Sequence, residues 1–173
     1  MLRWLWVALL VLVVDQATKL YANGVLTLHH PVDFLPGLNI TLSYNTGAAF
    51  SFLSQAGGWQ RWFFVVLALL VAGFIIGWIR RLQPSEAWLA VALSLILGGA
   101  LGNVIDRIYL GHVVDFLDVY YVAASCLPFF AQNGDQCHWP TFNIADSAIF
   151  LGAVMLVIDG LRGRHHPDSS SAG

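Results

Sequence analysis

The sequence contains few charged residues. Aspartate, glutamate, lysine and arginine make up only 10% of its 173 residues, and the formal net charge is −2. Such a small charge excludes the basic surface of a nucleic-acid-binding protein and gives no reason to expect an acidic partner. Hydrophobic residues account for 58% of the chain, and the mean hydropathy is +0.70, far above that of a soluble domain. The composition therefore predicts a polytopic membrane protein with one domain.

Cysteine is also scarce. The chain has two cysteines, Cys126 and Cys137, which lie in one polar segment. If that segment is extracytoplasmic, and so in an oxidising compartment, a disulfide between them contributes about 3 kcal/mol of stability on the chain-entropy model. Free thiols are the alternative. Two cysteines and the neighbouring His138 make an incomplete zinc site, so we expect no metal and no cofactor.

The first apolar run lacks the small-x-small cleavage site of a signal peptide. Residues 2–21 are therefore predicted to be a retained first span, because the sequence DQATK at Asp15–Lys19 continues it at helical spacing. Asp15 and Lys19 are four residues apart and share one helix face. Two interpretations remain open for this pair: a salt bridge that eases the helix end into the headgroup region, or a supporting role beside an active site.

Three further apolar runs are long enough to cross a membrane: residues 62–79, 87–105 and 144–161. Together with the first span they predict a single integral-membrane domain over residues 1–163. A polar tail over residues 164–173 is expected to be disordered and cytoplasmic. The connecting segments, residues 23–58 and 106–141, are too polar to span.

An even number of spans places both termini on one side of the membrane. That side carries five basic residues: Arg3, Arg80, Arg81, Arg162 and Arg164. The other side carries three: Lys19, Arg61 and Arg107. The positive-inside rule therefore predicts that both termini are cytoplasmic and that the two long connecting segments face outward.

The first connecting segment contains a predicted strand. Leu38–Tyr44 alternates strictly between apolar and polar residues, which is typical of a half-exposed strand. Turn signals lie before it at Pro36-Gly37 and after it at Asn45-Thr46-Gly47. Residues 26–29 and 49–53 are its predicted partners. The expected fold is an all-α membrane protein of four transmembrane helices, with a small extracytoplasmic sheet between helices 1 and 2 and an extracytoplasmic loop between helices 3 and 4.

A dense polar cluster follows the third span and a small-residue patch at 98–102. It consists of Asn103, Asp106, Arg107, Asp115 and Asp118. Polar groups at the mouth of a membrane helix are costly to place and usually functional. Asp115 lies between Val113-Val114 and Phe116-Leu117, an apolar setting that raises the pKa of a carboxyl group. The alternative is a loop aspartate paired with Arg107 or His112.

The start of the fourth span carries a second acidic candidate. Asp146 follows Asn143 by three residues, so Asn143 is a natural N-cap and Asp146 a first-turn carboxylate, and simple capping is one interpretation. The predicted topology, however, brings Asp15, Asp115 and Asp146 to one membrane face. Two carboxyl groups held close in a low-dielectric site share a proton and can perform acid–base peptide hydrolysis without a metal or a covalent intermediate.

The chain resembles the bacterial lipoprotein signal peptidases, or signal peptidase II, which are aspartic peptidases of the inner membrane. Four blocks carry the resemblance: Asp15–Lys19 (DQATK), Tyr44–Leu53 (YNTGAAFSFL), Gly98–Phe116 (GGALGNVIDRIYLGHVVDF) and Phe142–Ser147 (FNIADS). The resemblance implies that Asp115 and Asp146 are the catalytic pair. It also implies supporting residues around the site: Asp15, with its partner Lys19, and Asn45, Asn103, Arg107 and Asn143.

The resemblance also implies a substrate and a location. The family acts on lipid-modified prolipoproteins in contact with membrane lipid, cleaving just before the diacylglyceryl-bearing cysteine on the periplasmic side. A cyclic peptide antibiotic of the globomycin type is the implied inhibitor. We expect a monomer that binds no nucleic acid.

One departure from the family pattern is a longer segment between Asp118 and Pro140, which contains both cysteines. We predict a disulfide-closed flap there, between the third and fourth spans.

Two other functions are considered. A metal-dependent membrane phospholipid transferase also clusters aspartates, but the chain lacks the Asp-Gly and Ala-Arg spacing of those enzymes. A proton-coupled carrier would use the residue 98–102 patch only for helix packing, and it would place its polar groups at mid-membrane rather than at one side.

Overall fold

The structure is a computed structural model, and it describes residues 1–47 and 58–163. Its four long helices are α1 (Leu5–Val25, after a 3-10 turn at Leu2–Trp4), α2 (Trp59–Arg81), α3 (Ala87–Tyr109) and α4 (Ile144–Gly163). Each is long and apolar enough to cross a membrane, which confirms the four predicted transmembrane helices. The predicted tail at 164–173 and the predicted strand at 49–53 lie outside the described residues.

Two helices run four residues further than their predicted spans, α1 to Val25 and α3 to Tyr109. The added turn of α3 contains Asp106 and Arg107, which hydropathy alone places outside the membrane. It stays helical because these side chains find polar partners on other elements.

Helix α3 is the centre of the bundle and packs against each of the other three helices. Its buried core includes Leu93 and Leu97, packed with Ile75 and Ile79 of α2. By contrast, α2 and α4 expose large apolar side chains to the outside: Leu70 is 68% exposed and Phe150 is 72% exposed. This arrangement is the one expected when lipid covers the outer helix faces.

Three glycines of α3 and α4 lie where the helices approach each other closely. A Cβ atom on Gly98 would lie 2.6 Å from the carbonyl oxygen of Ala8 in α1. A Cβ on Gly152 would lie 2.6 Å from the carbonyl oxygen of Ala92, and one on Gly99 would collide with the Ala145 carbonyl oxygen. The small residues therefore let α1 and α4 approach the backbone of α3.

An antiparallel five-stranded sheet lies outside the helices. Its strands are β1 (Val32–Leu35), β2 (Leu38–Asn45), β3 (Val113–Val122), β4 (Ala131–Asn133) and β5 (Gln136–His138), in the order β1-β2-β3-β5-β4. The predicted strand at 38–44 is confirmed as β2. The predicted partner at 26–29 is wrong, because only Leu28 bridges to β2, at Leu42; the partners are β1 and β3.

Three of the five strands come from the segment between α3 and α4, which the sequence predicted to be a loop. Strand β3 crosses the middle of the sheet, and its first half is buried. The hairpin β4–β5 extends the sheet beyond it. A disulfide joins Cys126 to Cys137, with Cα atoms 5.4 Å apart, and closes this hairpin.

Candidate active site

A cleft of about 1080 Å³ opens between the sheet and the ends of α3 and α4. Polar residues from four elements and a turn line it: Thr41 and Asn45 of β2, Gly47, Arg107 of α3, Asp115 and Asp118 of β3, and Asp146 of α4. The cleft therefore contains both carboxyl groups that the sequence singled out.

Asp115 is 1% exposed and is held by two amides. The Asn143 side chain donates to its Oδ1 at 2.7 Å, and the Asn45 side chain donates to its Oδ2 at 3.2 Å. Burial, followed by the negative charge of Asp146, raises the pKa of Asp115 to about 7, although these two hydrogen bonds and the charge of Lys19 act in the opposite direction. The carboxyl group thus titrates near neutral pH.

Asp146 belongs to the cap of α4 and also to the cleft. Its backbone N–H donates to the Asn143 side chain at 3.0 Å, and its Oδ2 accepts from the Asn143 backbone N–H at 3.3 Å, a reciprocal capping arrangement. Its Oδ1 accepts from the Asn103 side chain at 2.7 Å. Capping thus occupies one carboxyl oxygen, and a residue of α3 contacts the other.

Asn143 connects the two carboxyl groups. Its side chain donates to Asp115 while its backbone N–H donates to Asp146. Asn143 is fully buried, and its side chain also lies 3.3 Å from the Asn103 oxygen. One residue therefore sets the relative position of the two acids.

Lys19 is a buried cation that contacts the residue next to Asp146, Asn103. It is 3% exposed, and its ammonium group contacts Asp15 at 2.8 Å and Asp106 at 3.0 Å. It also donates to the Asn103 side-chain oxygen at 2.9 Å. Because Asn103 in turn donates to Asp146, Lys19 fixes the orientation of the Asn103 amide. The Asp15–Lys19 pair is therefore buried inside the protein, next to a residue that contacts Asp146.

Asp15 also joins α1 to α4, since its Oδ1 accepts from the Ala145 backbone N–H at 2.9 Å. A carboxylate at this position satisfies one of the free N–H groups of the helix and interacts favourably with its positive end. The acidic side chain of one span therefore caps the start of another.

Arg107 and Asn45 lie at the rim of the cleft. The Arg107 guanidinium donates to the Gly47 carbonyl oxygen at 3.3 Å and lies 5.2 Å from the centre of the Phe64 ring. Asn45 donates to Asp115 and accepts from the Gly47 backbone N–H at 3.1 Å. Both residues are half-buried and line the cleft.

The structure thus brings all eight predicted site residues into one contact network. Sequence reasoning did not assign a role to Asp106, which accepts from the Val114 backbone N–H at 3.1 Å and so anchors the start of β3. Its spacing was a usable signal, because Asn103, Asp106 and Arg107 lie at i, i+3 and i+4 on α3. Sequence reasoning also missed the contact between Asp118 and His138, at 2.9 Å, which joins β3 to β5.

Known proteins similar to this chain share one description. A family model described as signal peptidase (SPase) II matches residues 7–162. A lipoprotein signal peptidase of Aeromonas hydrophila is 51% identical over 168 residues, which cover 96% of this chain and 93% of that protein. That of Pseudomonas putida is 51% identical over 168 residues, covering 96% and 91%. That of Pseudomonas aeruginosa strain PAO1 is 47% identical over 164 residues, covering 94% and 90%.

Two solved structures have the same fold, and both are described as bacterial membrane enzymes determined by the in meso method. One has a TM-score of 0.79 and 28% sequence identity, covering 99% of this chain and 94% of its own. The other has a TM-score of 0.74 and 30% identity, covering 92% of this chain and 93% of its own. With the family model matching nearly the whole chain, the protein belongs to the signal peptidase II family and is a membrane protease.

Proposed function

We propose that the protein is an aspartic endopeptidase that removes the signal peptide from diacylglyceryl-modified prolipoproteins, cleaving just before the lipidated cysteine. The observation that carries this proposal is the pair of carboxyl groups, Asp115 and Asp146, that line one cleft and contact the same residue, Asn143. Membership of a signal peptidase family supplies the class of reaction.

The two acids act as general base and general acid. With one proton on the pair, the ionised carboxylate takes a proton from a water molecule as that water attacks the scissile carbonyl carbon. The protonated carboxyl donates to the carbonyl oxygen, whose negative charge develops in the transition state. A proton then passes to the leaving nitrogen, and the pair regains its single proton.

Neighbouring residues orient these acids and the substrate. Asn143 and Asn103 hold the carboxyl groups, and the buried Lys19 ammonium supplies a positive charge next to Asn103. Arg107 and Asn45 border the cleft and are placed to bind the substrate main chain. A diacylglyceryl group in the membrane would hold the scissile bond at headgroup depth, which reduces the entropic cost of positioning. A cyclic peptide of the globomycin type would compete for the same cleft.

We place the cleft on the periplasmic side and both termini in the cytoplasm. The Cys126–Cys137 disulfide supports this orientation, because disulfides persist in oxidising compartments. The distribution of basic residues supports it too. Of the three basic residues on the cleft side, Lys19 is buried in ion pairs and Arg107 borders the cleft. By contrast, Arg80 and Arg81 lie in the last turn of α2, at the end of that helix expected to face the cytoplasm.

The test is cleavage of a diacylglyceryl-modified precursor peptide by the purified protein in detergent. We expect wild-type protein to release one product that ends just before the modified cysteine, identified by mass spectrometry, with no loss of rate in a metal chelator. Asp115→Asn and Asp146→Asn should each reduce kcat by about 10³-fold or more, and the double variant should lose little further, since the two acids act as a unit.

Asp33→Asn is the matched control, because Asp33 lies on the exposed strand β1; it should retain the wild-type rate. Substantial turnover by Asp146→Asn would reduce Asp146 to a helix cap, and inhibition by chelator would favour a metal-dependent enzyme.

A further inference from the structure

The disulfide-closed hairpin, residues 126–138, borders the same cleft as the two acids. Phe129 and Phe130 belong to the cleft wall together with Asp115 and Asp146. We propose that this hairpin binds the mature side of the substrate, the residues that follow the scissile bond, and so selects substrates by length and sequence there. The inference rests on the proposed peptidase function.

The hairpin is fixed to the strand that carries Asp115. Strand β5 pairs with the far end of β3, where Tyr120 lies opposite His138. The His138 ring contacts the Asp118 carboxylate at 2.9 Å, and the disulfide bonds fully buried Cys137 of β5 to Cys126, which precedes β4. A substrate chain bound by the hairpin is therefore held in a constant position relative to Asp115.

The hairpin presents an apolar side chain to the cleft. Phe129 is 68% exposed and has a φ angle of 75°, a left-handed conformation that residues other than glycine rarely adopt. Strained backbone conformations of this kind cluster at active sites and at segments that hold a ligand. The neighbouring Phe130 ring packs edge-on against two other rings. Its centre lies 5.0 Å from that of Tyr121 and 5.2 Å from that of Trp139.

Distance and topology indicate which part of the substrate reaches the hairpin. Tyr120 follows Asp115 by five residues on β3, about 17 Å at the rise of an extended strand. The hairpin belongs to the segment between α3 and α4, outside the four candidate spans. Tyr120 pairs with His138, which pairs with Ala131, two residues after Phe129. An apolar signal peptide remains within the membrane, so the chain that crosses this distance is the mature side, and about five of its residues beyond the scissile bond span it.

The test compares two diacylglyceryl-modified peptides, one ending two residues after the modified cysteine and the other eight residues after it. For Phe129→Ala we expect KM for the longer peptide to rise about fivefold, the size of losing one aromatic contact at an interface. Its kcat should not change, and KM for the shorter peptide should equal that of the wild type.

Leu127→Ala is the matched control. Leu127 is 64% exposed on the same hairpin but is not part of the cleft wall, so both peptides should behave as with wild-type protein. A second variant, Cys126→Ser with Cys137→Ser, removes the disulfide and should also raise KM only for the longer peptide.

Two results would overturn the inference while leaving the proposed function intact. The first is an equal rise of KM for both peptides, which would place the lipid anchor rather than the mature chain on the hairpin. The second is no change for either peptide in Phe129→Ala. Failure of wild-type protein to cleave either peptide would be a different result, since it removes the proposed function itself and the inference with it.

Discussion

Asp115 combines deep burial with neutral hydrogen-bond donors. Its oxygens accept from the amides of Asn143 and Asn45, whereas Asp15 and Asp106 form ion pairs with Lys19. Neutral donors offset the cost of burying a charge less than an ammonium group does. Burial without an ion pair of its own therefore raises the pKa of Asp115 to about 7, while Asp15 and Asp106 hold Lys19 in place.

The rate of cleavage should depend on pH in a bell shape. The pKa of Asp115 is raised to about 7. The proposed mechanism requires one proton on the pair, so kcat/KM should fall as the pH rises above about 7 and that proton is lost. It should also fall at acid pH, when both carboxyl groups become protonated. Initial rates with a fluorescent lipopeptide between pH 5 and 9 check this. A rate that keeps rising to pH 9, in protein shown to be folded, would contradict it.

The same pKa predicts an effect on stability. The ordinary pKa of an aspartate is 3.8, and folding raises that of Asp115 to about 7. Between these values the folded protein binds more protons than the unfolded chain, so the free energy of unfolding falls as pH rises. Asp115→Asn cannot ionise. Its effect on the melting temperature in detergent, measured against the wild type, should therefore be more favourable at pH 8 than at pH 5, while Asp33→Asn should give no such difference.

At the scale of secondary-structure elements, β3 determines the geometry of the site. It begins four residues after α3 ends, its start is anchored by the Asp106 carboxylate, and it pairs with both β2 and β5. Its sequence, VVDFLDVYYV, shows no regular alternation of apolar and polar residues, because the first half of the strand is buried on both faces. Pairing with β2 then places Asp115 beside Asn45 and close to the start of α4.

Close packing of α3 against its neighbours gives an element-scale prediction. Gly98→Ala and Gly152→Ala each place a Cβ 2.6 Å from a backbone carbonyl oxygen, so each should destabilise the protein by about 1–3 kcal/mol through overpacking. Thermal unfolding in detergent measures the effect.

Gly73→Ala is the control for that measurement. A Cβ on Gly73 in α2 meets nothing within 4 Å, and alanine favours helix, so this variant should be as stable as the wild type or slightly more stable. Equal melting temperatures for Gly98→Ala and Gly73→Ala would show that α1 and α3 do not approach as closely as described.

At the scale of the whole molecule, the polar network gathers at one end of the helix bundle. It contains the second half of α1 from Asp15 onward, the last turns of α3, the first turn of α4 and the sheet. A carrier would require such groups along the middle of the spans. The arrangement instead suits an enzyme whose site lies toward one end of the bundle, with the rest of the bundle as an apolar anchor.

The proposed orientation can be tested by fusing reporters to the chain. Alkaline phosphatase, which is active only after export, should be inactive when fused after Gly163 and active when inserted at Gly134 in the turn between β4 and β5. A cytoplasmic fluorescent reporter should give the opposite pattern. An active phosphatase at Gly163 would place the cleft in the cytoplasm.

The sequence alone determined the features that depend on neighbouring residues. Hydropathy over about twenty residues predicted four spans, strict alternation predicted β2, and the spacing of Asn143 and Asp146 predicted the cap of α4. Each of these features depends on residues that are close together in the sequence, because hydrophobic periodicity and helix capping are local properties. The apolar surroundings of Asp115 likewise pointed to a raised pKa, in agreement with its buried position.

Only the tertiary structure decided which distant residues meet. It paired β2 with β1 and β3 rather than with residues 26–29, and it turned the polar side chains Asn39 and Thr41 inward, although alternation fits either face. It also placed Lys19 between Asp15, Asp106 and Asn103, the last two more than eighty residues away. Such contacts follow from how helices and strands pack in three dimensions, because local patterns leave the partner of a buried polar group unspecified.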